Sequence, residues 1–283
     1  MVRRIPKHLI RKGMFVESLE CPNAEFSGRR FLVQSDETVR AILATSAAYA
    51  LINPHRSTVD LGAEAGTAPS TLAEDQRRTQ EVVSQSAVAL RDSFAAVRAG
   101  DLKVETLGPV ADEISDRIDA APEIFLKVTR LKTKDEGTYV HSLAVSALMM
   151  RLARLLDYDE ATVRDLGVAG LLHDVGKLMV PNAILNKNGK LEASERSLVR
   201  NHPETGYRLL KELGTMSDLT LDIARHHHEA LDGSGYPLGL KADRLSQEIR
   251  LATVCDVFEA LTSTRPYKRP WTIRDALNWM FDR

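Results

Sequence analysis

Thr138 to Tyr158 reads TYVHSLAVSALMMRLARLLDY. Val145, Leu148, Leu152, Leu155 and Leu156 recur at spacings of three and four, which predicts an amphipathic helix with one apolar stripe. His141 falls on the same stripe, one turn before Val145. A single histidine among apolar residues is ordinarily a core group with its hydrogen bonds satisfied. The flanking sequence decides whether this one is an exception.

The anomaly recurs. Asp159 to Lys177, DEATVRDLGVAGLLHDVGK, puts Val163, Leu166 and Ala169 inward, and His173 continues their row with Asp174 beside it. Ser194 to Leu213, SERSLVRNHPETGYRLLKEL, is predicted to break at His202-Pro203, because proline disfavours helix at the residue before it. Asp218 to Ala230, DLTLDIARHHHEA, places Ile223, Ala224, His227 and His228 on one face and His226 on another. Ser246 to Ser263, SQEIRLATVCDVFEALTS, groups Asp256 with Ile249, Ala252 and Ala260.

His141, His173, Asp174, His202, His227, His228 and Asp256 therefore all fall at inward positions or helix junctions. So many polar groups do not share an apolar interior cheaply as mutual hydrogen-bond partners. A cation resolves the conflict, because neutral imidazole and carboxylate bind it directly. Five histidines and two aspartates suit two first-row ions with one bridging aspartate, and the adjacency of His173 and Asp174 fits that arrangement. Nitrogen-rich ligation without thiolate favours Fe or Mn over structural zinc or calcium.

The rest of the chain frames this region. With 283 residues the length fits two domains, and 43% hydrophobic with 27% charged residues is ordinary globular composition. A net charge of -1 gives no general reason to expect nucleic acid or an anionic membrane as partner. The basic start MVRRIPKHLIRK leads into no apolar segment, so no signal peptide is expected, and no apolar run has the length of a membrane span. Cys21 and Cys255 have no metal-ligand spacing, which points to a reducing cytoplasm. Residues 1–61 read as a small α+β module, with strands in MFVESL, RFLVQ and YALINP and a helix in DETVRAILATSA capped by Ser35 or Asp36. Residues 62–71 read as a linker, and 72–283 as helical, beginning with one long helix closed by Gly100. That helix suits core packing, a signalling connector or a homodimer contact.

HD with VGK, then HP, then HHE with DGSGYP, then D with TSTRPY occur in this order between about Asp135 and Pro270, almost half the chain. Together they resemble the HD-GYP family, a bacterial branch of the HD metal-dependent phosphohydrolases. The first 61 residues loosely resemble a small domain often found ahead of it. The resemblance implies a mainly α fold, an all-helical HD-type bundle preceded by the small α+β domain. It implies hydrolysis of cyclic di-GMP to linear pGpG or GMP by a hydroxide bridging two metals. His141, His173, Asp174, His202, His227, His228 and Asp256 resemble the metal ligands, with Asp174 the bridge. Lys177 resembles a phosphate contact and general acid, and Arg265 and Lys268 of RPYKRP resemble further phosphate clamps. The GYP loop resembles a contact for substrate or for a partner such as a diguanylate cyclase, and Glu229 is expected to orient one of the imidazoles. Some members bind a third metal through a glutamate four residues before the first histidine; Gly137 stands there in this chain, and Glu136 is one position off, so two metals are expected. The alternative is a receptor that binds a cyclic dinucleotide with little turnover.

Overall fold

The computed structural model describes residues 3–19, 30–47, 49–59, 72–130, 137–187, 189–264 and 270–282. The chain divides into two compact units, Met1–Thr71 and Leu72–Arg283. The expected linker at 62–71 lies outside the described residues.

Among the described residues, the smaller unit is a four-stranded antiparallel sheet, ordered β1-β4-β2-β3, with one α-helix. Its strands are β1 (Arg3–Pro6), β2 (Phe15–Leu19), β3 (Phe31–Leu32) and β4 (Tyr49–Ile52), and its helix is α1 (Asp36–Leu43). Ser35 caps α1 by accepting a hydrogen bond from the Thr38 amide. Ile5, Met14, Val16, Val33, Ile42 and Ile52 form its core. The reading of RFLVQ was too long, since only Phe31–Leu32 pairs as strand. β1 went unread because RRIP has one apolar residue and a proline. Its place at the sheet edge tolerates both.

In the larger unit α2 (Leu72–Ala99) ends at Gly100, whose φ is +73°. α3 (Leu107–Ala120) and α4 (Pro122–Arg130) follow, then α5 (Gly137–Leu155) and α6 (Glu160–Leu172). α7 (Asn182–Leu185) and α8 (Ala193–Arg200) are short, and α9 (His202–Leu213) starts anew after α8 with Pro203 in its first turn. α10 (Asp218–His226), α11 (Gln247–Thr262) and α12 (Ile273–Phe281) complete the described elements. One core runs through the unit, built from α2 (Val83, Leu90, Phe94), α3 (Ile114, Ile118), α5 and α6.

α5 is more central than its stripe suggested. Val140, Leu143, Ala144, Val145, Ala147, Met149, Met150 and Ala153 are all buried, so it is covered on nearly every side. Leu155 and Leu156 are instead exposed at its end. The period was right, but the stripe was extended one turn too far. α6 stops at Leu172 and does not run on to Lys177. Val175–Met179 is a tighter 3₁₀ turn, so His173 and Asp174 stand at a helix end.

Candidate metal centre

Five elements bring the candidate ligands to one point. His141 lies in the second turn of α5, His173 and Asp174 just beyond α6, and His202 at the first position of α9. His227 and His228 follow the end of α10, and Asp256 sits within α11. All are buried except His228, which is partly exposed. His202 Nε2 is 3.1 Å and His227 Nε2 3.8 Å from Asp174 Oδ1. His141 Nε2 and His173 Nε2 are each 3.5 Å from Asp174 Oδ2. Asp256 stands 3.1 Å from His141 Nε2 through Oδ1 and 3.7 Å from His228 Nδ1 through Oδ2.

One glycine allows this convergence. A Cβ on Gly176 would lie 1.9 Å from the His202 carbonyl oxygen and 2.6 Å from the Gly206 nitrogen. The Val175–Met179 turn therefore packs backbone against backbone on α9, which carries His202 up to Asp174.

The outer ring nitrogens fix the inner ones. His173 Nδ1 donates to the Gly170 carbonyl and His202 Nδ1 to the Val199 carbonyl, both at 2.7 Å. His227 Nδ1 donates to the Ile223 carbonyl at 3.0 Å. His141 Nδ1 donates to Glu259, a residue the sequence reading missed. Glu259 is 3% exposed and also accepts from Ser263 Oγ at 2.5 Å. The available signal was its place three residues after Asp256, on the same helix face. With Nδ1 donating outward on His173, His202 and His227, the neutral form of each presents its Nε2 lone pair inward, while His141 Nε2 donates to Asp256.

Inside the cluster, acceptors face acceptors. His173 Nε2 and Asp174 Oδ1 are buried and have no hydrogen-bond partner. Ligand atoms of Asp174, His202, His227 and His228 lie within 4.8 Å of one another, as do those of His141, His173 and Asp174. Asp174 belongs to both groups. A divalent cation fits these donors and neutralises the buried carboxylates, which a further neutral group would not do. Isolated buried atoms elsewhere in the unit, such as Ser86 Oγ and His226 Nδ1, also lack a partner, but His173 and Asp174 sit within groups of converging donors.

The protonation states match that fit. Burial opposes the charge on Asp174, but Lys177 and His173 outweigh it and hold its carboxyl well below the usual range. Burial likewise opposes Asp256, and a hydrogen bond from His141 overcomes it, so this carboxyl too is held low. Burial depresses His173, pushes His228 down to about 4, and with its histidine neighbours holds His227 far below ordinary imidazole. His141 is the exception: burial lowers it, but Glu259 and Asp256 prevail and raise it to about 8. The centre thus holds ionised Asp174 and Asp256 and neutral His173, His227 and His228, with an additional proton on His141.

The surroundings correct one expectation. Glu229 does not orient an imidazole. Its carboxylate accepts from the Leu238 and Leu240 amides at 2.7 and 2.9 Å and ties down the loop. A Cβ on Gly235 would lie 2.3 Å from the Ala230 nitrogen, so the loop folds tightly against the chain that follows the histidines. Tyr236 then stacks on His228, with ring centroids 4.7 Å apart, and Arg200 lies 4.5 Å over the other ring, that of Tyr236 itself. The Tyr236-Pro237 peptide is cis. Lys177 Nζ donates to Asp174 Oδ2 at 2.5 Å. Arg265 and Lys268 lie outside the described residues, as does Glu136. Gly137 opens α5. His226 is buried outside both donor groups, and its Nδ1 has no hydrogen-bond partner.

Comparison with known proteins places the chain in a family. The model of the HD domain family matches residues 114–283, and that of a domain of unknown function (DUF3391) matches residues 2–125. The second match runs past the smaller unit into α2, α3 and α4. A cyclic di-GMP phosphodiesterase of Pseudomonas aeruginosa is 38% identical over 301 aligned positions, which cover 99% of this chain and 72% of the relative. A 3′3′-cGAMP-specific phosphodiesterase of Vibrio cholerae is 37% identical over 147 positions, covering 52% of this chain and 34% of the relative. Among solved structures, a HDG"Y"P protein from Bdellovibrio bacteriovorus shares the fold, with a TM-score of 0.60 at 17% identity, covering all of this chain and 94% of that one. The matched family model, the near full-length relative and the ordered motifs converge, and the chain belongs to the HD domain family, in its HD-GYP branch.

Proposed function

We propose that the chain is a metal-dependent phosphodiesterase that hydrolyses cyclic di-GMP to linear pGpG, GMP or both. The observation that carries this reading is Asp174, shared by two groups of donors and contacted by Lys177. The Pseudomonas relative, named for this activity, aligns with 99% of the chain. In this reading His141, His173, Asp174, His202, His227, His228 and Asp256 hold two ions, with Asp174 bridging. The donor set favours Fe or Mn. When bound, such ions activate water and neutralise phosphoryl charge.

The chain's own residues do the rest. The Nδ1 bonds of His173, His202 and His227 to backbone carbonyls fix their rings before any cation arrives. Lys177 brings a point charge to the phosphoryl oxygens and holds a proton for the departing ribose 3′-oxygen. Arg265 and Lys268 are assigned the remaining phosphate contacts from their motif alone. Stacked on His228, Tyr236 covers one side of the centre against water. Residues 1–61 serve as an accessory domain, 62–71 as linker and 72–283 as the helical domain. No described helix is long and apolar enough to cross a membrane. We place the chain in the cytoplasm, where its nucleotide substrate is made. A homodimer and a diguanylate cyclase at the GYP loop complete the proposal. The Vibrio relative favours 3′3′-cGAMP as a second substrate.

The test is anaerobic reconstitution with Fe(II) or Mn(II), metal counting and cyclic di-GMP turnover on one sample, with Asp174→Ala as control. About two ions per chain and linear product only in the unsubstituted protein are expected. Full loading with bound, uncleaved nucleotide would leave a receptor instead.

A further inference from the structure

A pocket of about 610 Å³ opens beside the metal centre, a size typical of small-molecule sites. Its lining includes Lys177, whose ammonium is bonded to Asp174. The last turns of α2 contribute Phe94 and Arg98 to the same lining. Asn182 and Leu185 of α7 line it as well. Tyr139 and Phe94, both in its lining, meet edge to face with centroids 5.5 Å apart and supply apolar surface.

These features select a chemistry. Aromatic and aliphatic side chains beside cationic and amide groups suit a planar base joined to a phosphate. The phosphate belongs at Lys177, next to the centre. Arg98 in the same lining is exposed, and among the described residues no carboxylate pairs with it. A guanidinium fork matches the two acceptors on one edge of guanine, O6 and N7. Adenine offers a donor amine in place of O6, which faces the guanidinium unfavourably. Asn182 can donate or accept at the same base or its ribose.

We infer that this pocket receives one guanine nucleoside of the cyclic dinucleotide and that Arg98 reads the edge of its base. The inference rests on the phosphodiesterase reading and deepens it. It also gives a role to part of the segment matched by the domain of unknown function, since Arg98 lies within residues 2–125. That segment supplies specificity, while the motif residues supply the chemistry.

The experiment uses the full chain loaded with Mn(II), unsubstituted and as Arg98→Ala and Arg98→Lys, with folding checked by circular dichroism. Turnover of cyclic di-GMP and cyclic di-AMP gives a kcat/KM ratio for each protein. The unsubstituted chain is expected to prefer the guanine dinucleotide, and both variants to lose about ten- to a hundredfold of that preference, the worth of one bidentate contact. Lysine keeps the charge but not the fork, so charge alone would leave Arg98→Lys unchanged. The inference is overturned if the unsubstituted chain shows no preference, or if either variant keeps it. Bis(4-nitrophenyl) phosphate, an ester without a base, separates the two readings in the unsubstituted chain. If neither the ester nor a dinucleotide is cleaved, the phosphodiesterase reading fails. Equilibrium binding of the two dinucleotides to the same three proteins then decides the role of Arg98, with the same loss of preference expected.

Discussion

Replacing Glu259 with Gln keeps the side-chain volume but removes the charge that His141 Nδ1 leans on. Two effects of opposite sign follow. Partners of ligand histidines are typically worth about 10–100-fold in metal affinity, because they orient the ring and raise its basicity. That is about 1.4–2.7 kcal/mol lost. The same carboxylate also raises His141 to about 8, so at pH 7 an incoming ion must displace a proton, at about 1.4 kcal/mol. The variant loses the first contribution at every pH and is relieved of the second below about pH 8. Its deficit should therefore be small at pH 7 and reach the full 10–100-fold at pH 8.5, where the unsubstituted His141 is already neutral. Mn(II) titration calorimetry at both pH values, in buffers of differing ionisation enthalpy, reads affinity and proton release together. Equal affinities at pH 8.5, or equal proton release by the two proteins at pH 7, would refute this account of Glu259.

Other changes probe the frame around the centre. Gly176→Ala places a methyl 1.9 Å from the His202 carbonyl, so α9 must move away; an overpacking loss of about 1–3 kcal/mol in urea unfolding and a lower metal content are expected, and unaltered loading would contradict the backbone contact. Glu229→Ala leaves the Leu238 and Leu240 amides without their acceptor. Hydrogen exchange of those amides should accelerate at least tenfold, following the loss of about 1.5–3 kcal/mol per charged hydrogen bond; protection equal to that of the unsubstituted chain would count against the tie. For the metal-free protein, His228 has a folded pKa of about 4, below its unfolded value near 6.5, so stability is lost as pH falls from about 6.5 towards 4. His141, raised to about 8, contributes stability that is complete below about 6.5 and lost as pH rises through 8. Urea midpoints of the metal-free chain should peak near pH 6.5 with slopes of at most about 1.4 kcal/mol per pH unit for each group, and a flat profile between pH 5 and 8.5 would exclude both shifts.

The helices were legible because their periodicity and punctuation are local. The break at His202-Pro203, the stop at Gly100 and the cap at Ser35 each depend on one or two neighbouring residues. The inward histidines stood out because a polar residue on an apolar row violates a local pattern. Glu259 did not stand out, since a glutamate late in a helix is unremarkable until His141, 118 residues away, is seen against it. Glu229 was misread for a related reason. Its neighbours in sequence are histidines, but its partners are backbone amides nine and eleven residues on, and amides carry no signature in sequence. β1 was missed because an edge strand needs little apolar content, and its pairing with β4 joins residues almost fifty positions apart. Arg98 has no motif at all and becomes visible only when the pocket is traced.

The tie at Glu229 changes what kind of loop this is. Surface loops usually accept insertions because nothing within them is fastened to the core. Here residues 228 and 229 divide two tasks between adjacent side chains, His228 turning to the metal centre and Glu229 to the amides of Leu238 and Leu240. The segment between is fixed at both ends, and its middle leans back on His228 through Tyr236. A residue added anywhere from 230 to 237 would shift either the ring stack or the tie. Length variation here is transmitted to His228, and grafting this loop onto another chain means transplanting part of the candidate metal centre with it.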